Sequence, residues 1–481
     1  MKIDYTNLDT HIARVLEAAK PFQKLCIEHL IKYCRTVISA RGGTGKTMMA
    51  LTASFAQRPE KILVICSRNA LYTWQKEVKK WYPEYLVPGA YNVINGKFTK
   101  DKRAKLWAKD ALFYVCTYKT LMADIDLPVF TKHKFDVLIA DEYHRGGLRN
   151  KKTKGYKLFK SIQHIPVIYP MSGSGARRGP QDFWALLNIL DGKLFNSYWK
   201  FVRTFCVMNE GPFGWEILGP QNMEGFAQMT HRNLYRIPKS VSDAELPKIT
   251  RQIVPIDMSP KQEKAYKELA KQMYTEAEEG KLVVASTILA QYVKLRQLLA
   301  CPRILGIDDL GTALEMVADH IEDREEIRAV IFTPFRPSVE AIKKYMADRF
   351  QISRVWSLWG GDEPETVKQV TEDFRAKGGI VVVSVSFAES FELETADNCH
   401  FIGYDWDQNV NEQCEWRLQR LTSDINKPII AYYYQYRKTI DEEILEVLNT
   451  NTRNVKNTFL TADKLKELIL KTSLQPKDAE D

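Results

Sequence analysis

The chain has 481 residues, 45% hydrophobic and 27% charged, with a formal charge of +9. That length suits two or three domains of roughly 150–200 residues each, and the composition excludes a disordered chain. No run approaches the ~20 apolar residues of a membrane helix, and the opening Met1-Lys2-Ile3-Asp4-Tyr5 has no apolar signal core, so no membrane association is expected.

Short apolar runs recur along the chain with helical patterns between them. In the first half they are Thr36 to Ser39, Ile62 to Cys66, Leu112 to Cys116, Asp136 to Ala140 and Val167 to Tyr169. In the second half they are Ala329 to Phe332, Arg354 to Leu358, Gly379 to Val383, His400 to Gly403 and Pro428 to Tyr432. Runs that are apolar throughout predict strands buried on both faces of a parallel sheet. Their alternation with helices predicts an α/β fold with two doubly wound domains. Residues 190 to 325 read differently, with helical spacing over Gln262 to Glu279 and Thr287 to Leu299 and few strand runs. The eight cysteines form no CxxC pair, which argues against a zinc site or disulfide framework and for a reducing cytoplasm.

The first strand runs into Ala40-Arg41-Gly42-Gly43-Thr44-Gly45-Lys46-Thr47, followed by a helix former. Glycines at this spacing let backbone amides cradle phosphate oxygens at a helix N-terminus. Lys46 would reach the β- and γ-phosphates of ATP, and the Thr47 hydroxyl would hold Mg²⁺. Gly43, Thr44 and Gly45 complete the cradle. Ala40 stands where the strict pattern has glycine, and a glycine-rich turn that binds nothing is the plainer alternative. The fourth strand ends in Asp141-Glu142-Tyr143-His144. Two adjacent acids at a buried strand end are costly unless a cation or a reaction uses them. Asp141 would complete the Mg²⁺ shell with Thr47, and Glu142 would orient or deprotonate the attacking water. An acidic loop cap is the alternative.

These elements sit in an ordered series that resembles the superfamily 2 helicases and translocases, most of all the Swi/Snf-type double-stranded DNA translocases in a compact bacterial or viral form. Pro21-Phe22-Gln23 resembles the glutamine motif that reads adenine. Ile62 to Trp81, centred on Trp74-Gln75, is similar to motif Ia, and Val115 to Leu121 to motif Ib. Met171-Ser172-Gly173-Ser174 stands where the family has Leu-Ser-Gly-Thr, and Ile331 to Phe335 resembles motif IV. Gln413-Cys414-Glu415-Trp416-Arg417-Leu418-Gln419-Arg420, after Trp406, resembles the motif whose arginines reach the γ-phosphate. Its spacing predicts Gln413, Arg417 and Arg420 on one helical face; a solvated charged face is the alternative. Motif V departs from the family: Ser386 to Ser390 replace its glycines, and Thr422-Ser423 replace the closing Gly-Gln.

The resemblance implies two tandem RecA-like parallel-sheet lobes with a helical linker region. The expected boundaries are 1–240 for lobe one, 241–325 for the linker and helical approach to lobe two, 326–460 for lobe two and 461–481 for a tail. It implies coupling roles for His144 and Ser172, with ATP between the lobes. From Arg145 to Lys160 there are seven basic residues and no acid: Arg145, Arg149, Lys151, Lys152, Lys154, Lys157 and Lys160. Arg177 and Arg178 follow motif III, and Lys76, Lys79, Lys80, Lys97, Lys100, Lys102, Arg103 and Lys105 lie upstream. Clustered cations are the footprint of nucleic-acid binding, here expected to be double-stranded or branched DNA. A soluble charged face is the plainer alternative. The expectation is a monomeric ATP-dependent DNA translocase or helicase, cytoplasmic in a bacterium or virus-infected cell. An RNA helicase and an ATP-gated DNA clamp with little turnover are the alternatives.

Overall fold

The computed structural model describes residues 4–173, 179–211, 214–278, 285–387, 391–405, 407–421, 423–442 and 444. Arg177, Arg178, Ser174, Trp406, Thr422, Ala388 to Ser390 and the expected tail lie outside the described residues. The chain divides into two units, Met1–Glu245 and Leu246–Asp481.

The first unit is built on a seven-stranded sheet. Its strands in chain order are β1 (Val37–Ser39), β2 (Ile62–Cys66), β3 (Tyr91–Ile94), β4 (Phe113–Thr117), β5 (Val137–Asp141) and β6 (Val167–Ser172). After an antiparallel hairpin, β7 (Cys206–Gly211) and β8 (Gly214–Pro220), comes β9 (Leu234–Arg236). The spatial order is β3-β4-β2-β5-β6-β1-β9, and every neighbouring pair in it is parallel. Strands β2, β4 and β5 are buried almost throughout, as two-faced burial between helices requires. A parallel sheet gathers its strand ends on one edge. The loops after β1, β5 and β6, neighbours in that order, therefore emerge side by side.

The second unit holds β10 (Ile249–Ile256), β11 (Arg328–Thr333), β12 (Val355–Leu358), β13 (Gly379–Ser384), β14 (Asn398–Ile402) and β15 (Ile429–Tyr436). They form an all-parallel sheet in the order β10-β15-β14-β11-β13-β12. Residues 246–325, expected to form a linker and helical approach, belong to this unit. The helices Pro260–Glu278 and Ala285–Ala300 sink Tyr266, Tyr292, Leu295 and Leu298 into its core.

The region expected to be poor in strands contains four. Polar residues fill β10 because only one of its edges is paired, to β15, so Arg251 and Gln252 stay exposed. The β7–β8 hairpin leaves Trp215 and Leu218 exposed at 52% and 58%. Among the described residues no helix is long and apolar enough to cross a membrane.

Candidate functional site

The loop after β1 turns on Gly43 and Gly45, whose φ values of 78° and 79° lie in the left-handed region that glycine enters without a Cβ clash. Gly45 opens the helix Lys46–Phe55, which is buried from Met48 onward and so fixes the direction of its N-terminus. The amides of that first turn have no carbonyl partner within the helix and carry the positive end of its dipole. The Lys46 ammonium donates to the carbonyls of Ala40 and Arg41, each at 2.9 Å. The Thr44 hydroxyl donates to Arg41 O at 2.9 Å, which closes the loop on itself.

Gln23, expected to read adenine, is 3% exposed and engaged at both ends of its amide. Its Oε1 accepts from Lys20 N and its Nε2 donates to Thr44 O, both at 2.9 Å. In this structure it caps the helix Pro21–Tyr33 and braces the phosphate loop. Two ion pairs flank the same region: Arg41 with Asp243, and Lys20 with Glu245 at 2.9 Å.

Strand β5 ends at Asp141, and Glu142 follows with φ 47° and ψ 52°. A non-glycine residue there carries strain of roughly 1 kcal/mol or more, a cost that recurs at functional sites. The indole of Trp74 donates to Asp141 Oδ2 at 3.2 Å, and the Tyr118 hydroxyl donates to Asp141 O at 2.9 Å. Burial pushes the Tyr118 phenol well above its ordinary value, with the Asp141 charge adding to it, so it remains a donor. On β6, the Ser172 hydroxyl donates to Glu142 Oε2 at 2.8 Å. His144 Nδ1 lies 2.9 Å from Ser172 Oγ and 3.3 Å from Glu142 Oε2. A hydroxyl has one proton. With that proton on the carboxylate, Ser172 accepts from an Nδ1–H of His144. The structure thus brings Glu142 and His144, in the turn after β5, together with Ser172 at the end of the neighbouring strand β6. Sequence reasoning missed the indole anchor on Asp141; a tryptophan near the start of a strand-following helix was the available signal.

The predicted single helical face of Gln413, Arg417 and Arg420 is corrected by the structure. The helix Gln408–Glu415 ends before either arginine. Glu415, its last residue, is held by a bidentate pair with Arg251, both bonds 2.7 Å, and by the Tyr433 hydroxyl. Arg417 is buried and donates to Gln413 O and Phe391 O, each at 3.1 Å. Arg420 donates from Nε to Glu392 Oε1 at 2.9 Å, and to the carbonyls of Trp416, Gln419 and Phe391. Burial pushes the Glu392 carboxyl up, but Arg420, Arg375 and Arg417 outweigh it and hold it below the usual range. Glu392 belongs to the altered motif V, and sequence reasoning did not pair it with the arginines.

The basic run lies on the turn after Glu142 and on the helix Lys154–Ser161. Arg145, Lys152, Lys154 and Lys157 are exposed, and Arg149 is half-buried. Lys151 holds its ammonium 5.0 Å from the Tyr198 ring centre and 5.5 Å from that of Trp184. Lys160 donates to Gln163 Oε1. Arg103, grouped with the upstream cations, forms a bidentate pair with the buried Asp124 and is a packing element. Gly155 sits in the helix with no room to spare: a Cβ there would lie 1.6 Å from the carbonyl oxygen of Gly146.

A glycine loop after the first strand and an acid pair on a nearby strand end, on an all-parallel sheet joined to a second such sheet, define two tandem RecA-like lobes. The Hef helicase domain of Pyrococcus furiosus shares this fold at 13% identity and a TM-score of 0.53, over 90% of this chain and 98% of that one. The SNF2-related domain model matches residues 28–304, more than half of the chain, and the chain belongs to that family. Human DNA annealing helicase and endonuclease ZRANB3 is 27% identical over 246 residues, 50% of this chain and 22% of that protein. Protein CHROMATIN REMODELING 5 of Arabidopsis thaliana is 23% identical over 449 residues, 85% of this chain and 25% of that protein. The chain spans a quarter or less of the length of these two relatives.

Proposed function

We propose that the chain is a DNA-dependent ATP hydrolase that moves along double-stranded DNA or remodels branched DNA, acting as a monomer. The observation that carries this reading is the Glu142–Ser172–His144 cluster beside the phosphate loop. A hydroxyl that holds the carboxylate fixes the direction from which it can orient water, and a histidine on the same hydroxyl couples the two groups. SNF2-related membership and the DNA-acting names of the relatives support the substrate.

Lys46 would leave its two carbonyls for the β- and γ-phosphates, while the amides after Gly43 and Gly45 bind the phosphate oxygens. Thr47 and Asp141 offer a hydroxyl and a carboxylate, hard oxygen donors of the kind Mg²⁺ takes alongside phosphate and water, so this donor set fits the ion. Bound Mg²⁺ would neutralise charge on the phosphates. Trp74 fixes Asp141 for that task. Arg417 and Arg420 would supply charge to the γ-phosphate in place of their present carbonyl and Glu392 partners, and Gln413 would offer a neutral amide to ATP. A reducing cytoplasm suits the eight cysteines, all of which are free.

The test is ATP turnover with duplex DNA, single-stranded DNA and RNA, for wild type and Glu142→Gln. Stimulation by duplex or branched DNA that Glu142→Gln abolishes, with ATP binding kept, is the expected result. Stimulation by RNA alone would establish the RNA-helicase alternative, and DNA binding without turnover the clamp.

A further inference from the structure

The helix Tyr198–Phe205 faces two ways. Phe201, Val202 and Phe205 are buried in the lobe-one core. The opposite side presents Trp199, 48% exposed, with Lys200 and Arg203 exposed beside it. Trp199 and Arg203 are four residues apart and share one helical side. From Gly192 to Asn209 the sequence has three basic residues and no acid. Neither Lys200 nor Arg203 forms an ion pair with a described residue. This side is continuous with the basic run, because Lys151 lies over the ring of Tyr198, the residue before Trp199. It ends at the β7–β8 hairpin, whose charged residues Glu210 and Glu216 are both acidic.

We propose that this face binds an unpaired strand of branched DNA, with one base stacked on Trp199 and the flanking phosphates on Lys200 and Arg203. The inference rests on the DNA-translocase reading and deepens it by assigning a place to the single-stranded arm. Positive charge without acids complements a polyanion. An exposed indole between cations is what unpaired bases use, since every base offers a π-face once it is out of the duplex stack. A blunt duplex offers no such face along its length, and its phosphates are served by Lys152 and Lys154. A large exposed aromatic also marks protein contacts, but the acid-free run favours nucleic acid.

The experiment compares wild type, Trp199→Ala, Trp199→Phe and Lys200→Ala/Arg203→Ala on a blunt duplex and on the same duplex with an oligo-dT arm, 3′ or 5′. Trp199→Ala should weaken armed-DNA binding about tenfold, within the range for loss of one base–aromatic stack. It should leave blunt-duplex binding and the salt slope unchanged. Trp199→Phe should retain most of the armed-DNA affinity. The double cation variant should flatten the salt slope on armed DNA by about 1.4, from about 0.7 per single-strand phosphate contact. Equal affinity of Trp199→Ala and wild type for armed DNA overturns the proposal, and so does an equal loss on both DNAs. If wild type bound neither DNA, the failure would lie in the DNA reading itself. Trp199 is exposed, so its replacement should not unfold the lobe; a thermal melt of each variant checks this.

Discussion

Replacing Ser172 by alanine removes one hydroxyl and little else. That hydroxyl donates to Glu142 Oε2 at 2.8 Å, and the backbone carbonyl that accepts from Ala40 N is untouched. A hydrogen bond to a charged group contributes about 1.5–3 kcal/mol. If Glu142 has the proposed role and all of it went into holding that carboxylate, turnover would fall by about 10- to 150-fold. His144 Nδ1 already lies 3.3 Å from the same oxygen and can take over part of the role, so the low end, about tenfold, is expected. Adding His144→Ala should then cost more than that substitution does alone, because each residue backs up the other. The assay is ATP turnover at saturating ATP and DNA, with ATP affinity measured separately on a fluorescent analogue. Wild-type turnover in Ser172→Ala, or a loss confined to ATP affinity, would refute the assignment of this hydroxyl to Glu142.

Lys46→Ala should abolish turnover with folding intact, checked by thermal melt; substantial residual turnover would displace Lys46 from the phosphates. Arg420→Ala should lower DNA-stimulated turnover by ~10³-fold if it acts as an arginine finger. Arg417→Ala should also lower the melting temperature, because the buried guanidinium's bonds to the carbonyls of Gln413 and Phe391 are lost and only Arg420 still donates to Phe391, so Arg417→Lys is the cleaner test there. Lys152→Ala/Lys154→Ala should flatten the duplex salt slope by about 1.8, from about 0.9 per phosphate contact. An unchanged slope makes them a solvated face.

His400 is fully buried, and burial, then His320 and Arg324, hold its imidazole well below the usual value. It sits between the Tyr434 hydroxyl and Asn398 Oδ1, each at 2.9 Å. The unfolded chain takes up a proton near pH 6.5 that the folded chain refuses. Stability is therefore present above that pH and falls below it, by up to about 1.4 kcal/mol per pH unit. Denaturant melts between pH 7 and 5 for wild type and His400→Asn would show this slope and its loss; parallel slopes would refute it.

The strands that carry the site were legible because each is apolar across its width. Two-sided burial leaves no polar position to blur the run, as in β2 and β5. Of the edge strands of the two parallel sheets, β12 was read, as Arg354 to Leu358, while β3, β9 and β10 were missed. β10 mixes Thr250, Arg251 and Gln252 with its apolar residues because one side meets solvent, and β9 is three residues long. Residue types and order picked out Glu142, His144 and Ser172, which the structure brings into contact, and Lys46 and Asp141 at nearby strand ends. Spacing alone misplaced Arg420, since i, i+4, i+7 presumes a helix that continues past Glu415, where this one ends. The bond from Trp74 to Asp141 joins residues 67 apart in sequence, and no local pattern encodes such a contact.

The contact between Gly155 and the Gly146 carbonyl has a mechanical meaning. Gly155 follows Lys154 on a helix that offers cations to solvent, and Gly146 closes the short turn that starts after Glu142. Side chains between two segments can change rotamer and absorb a push, but at 155 not even a Cβ would fit. Backbone against backbone has no such compliance. A load on the Lys154 helix would reach the turn beside Glu142 with little loss, as through a lever with no slack at its pivot.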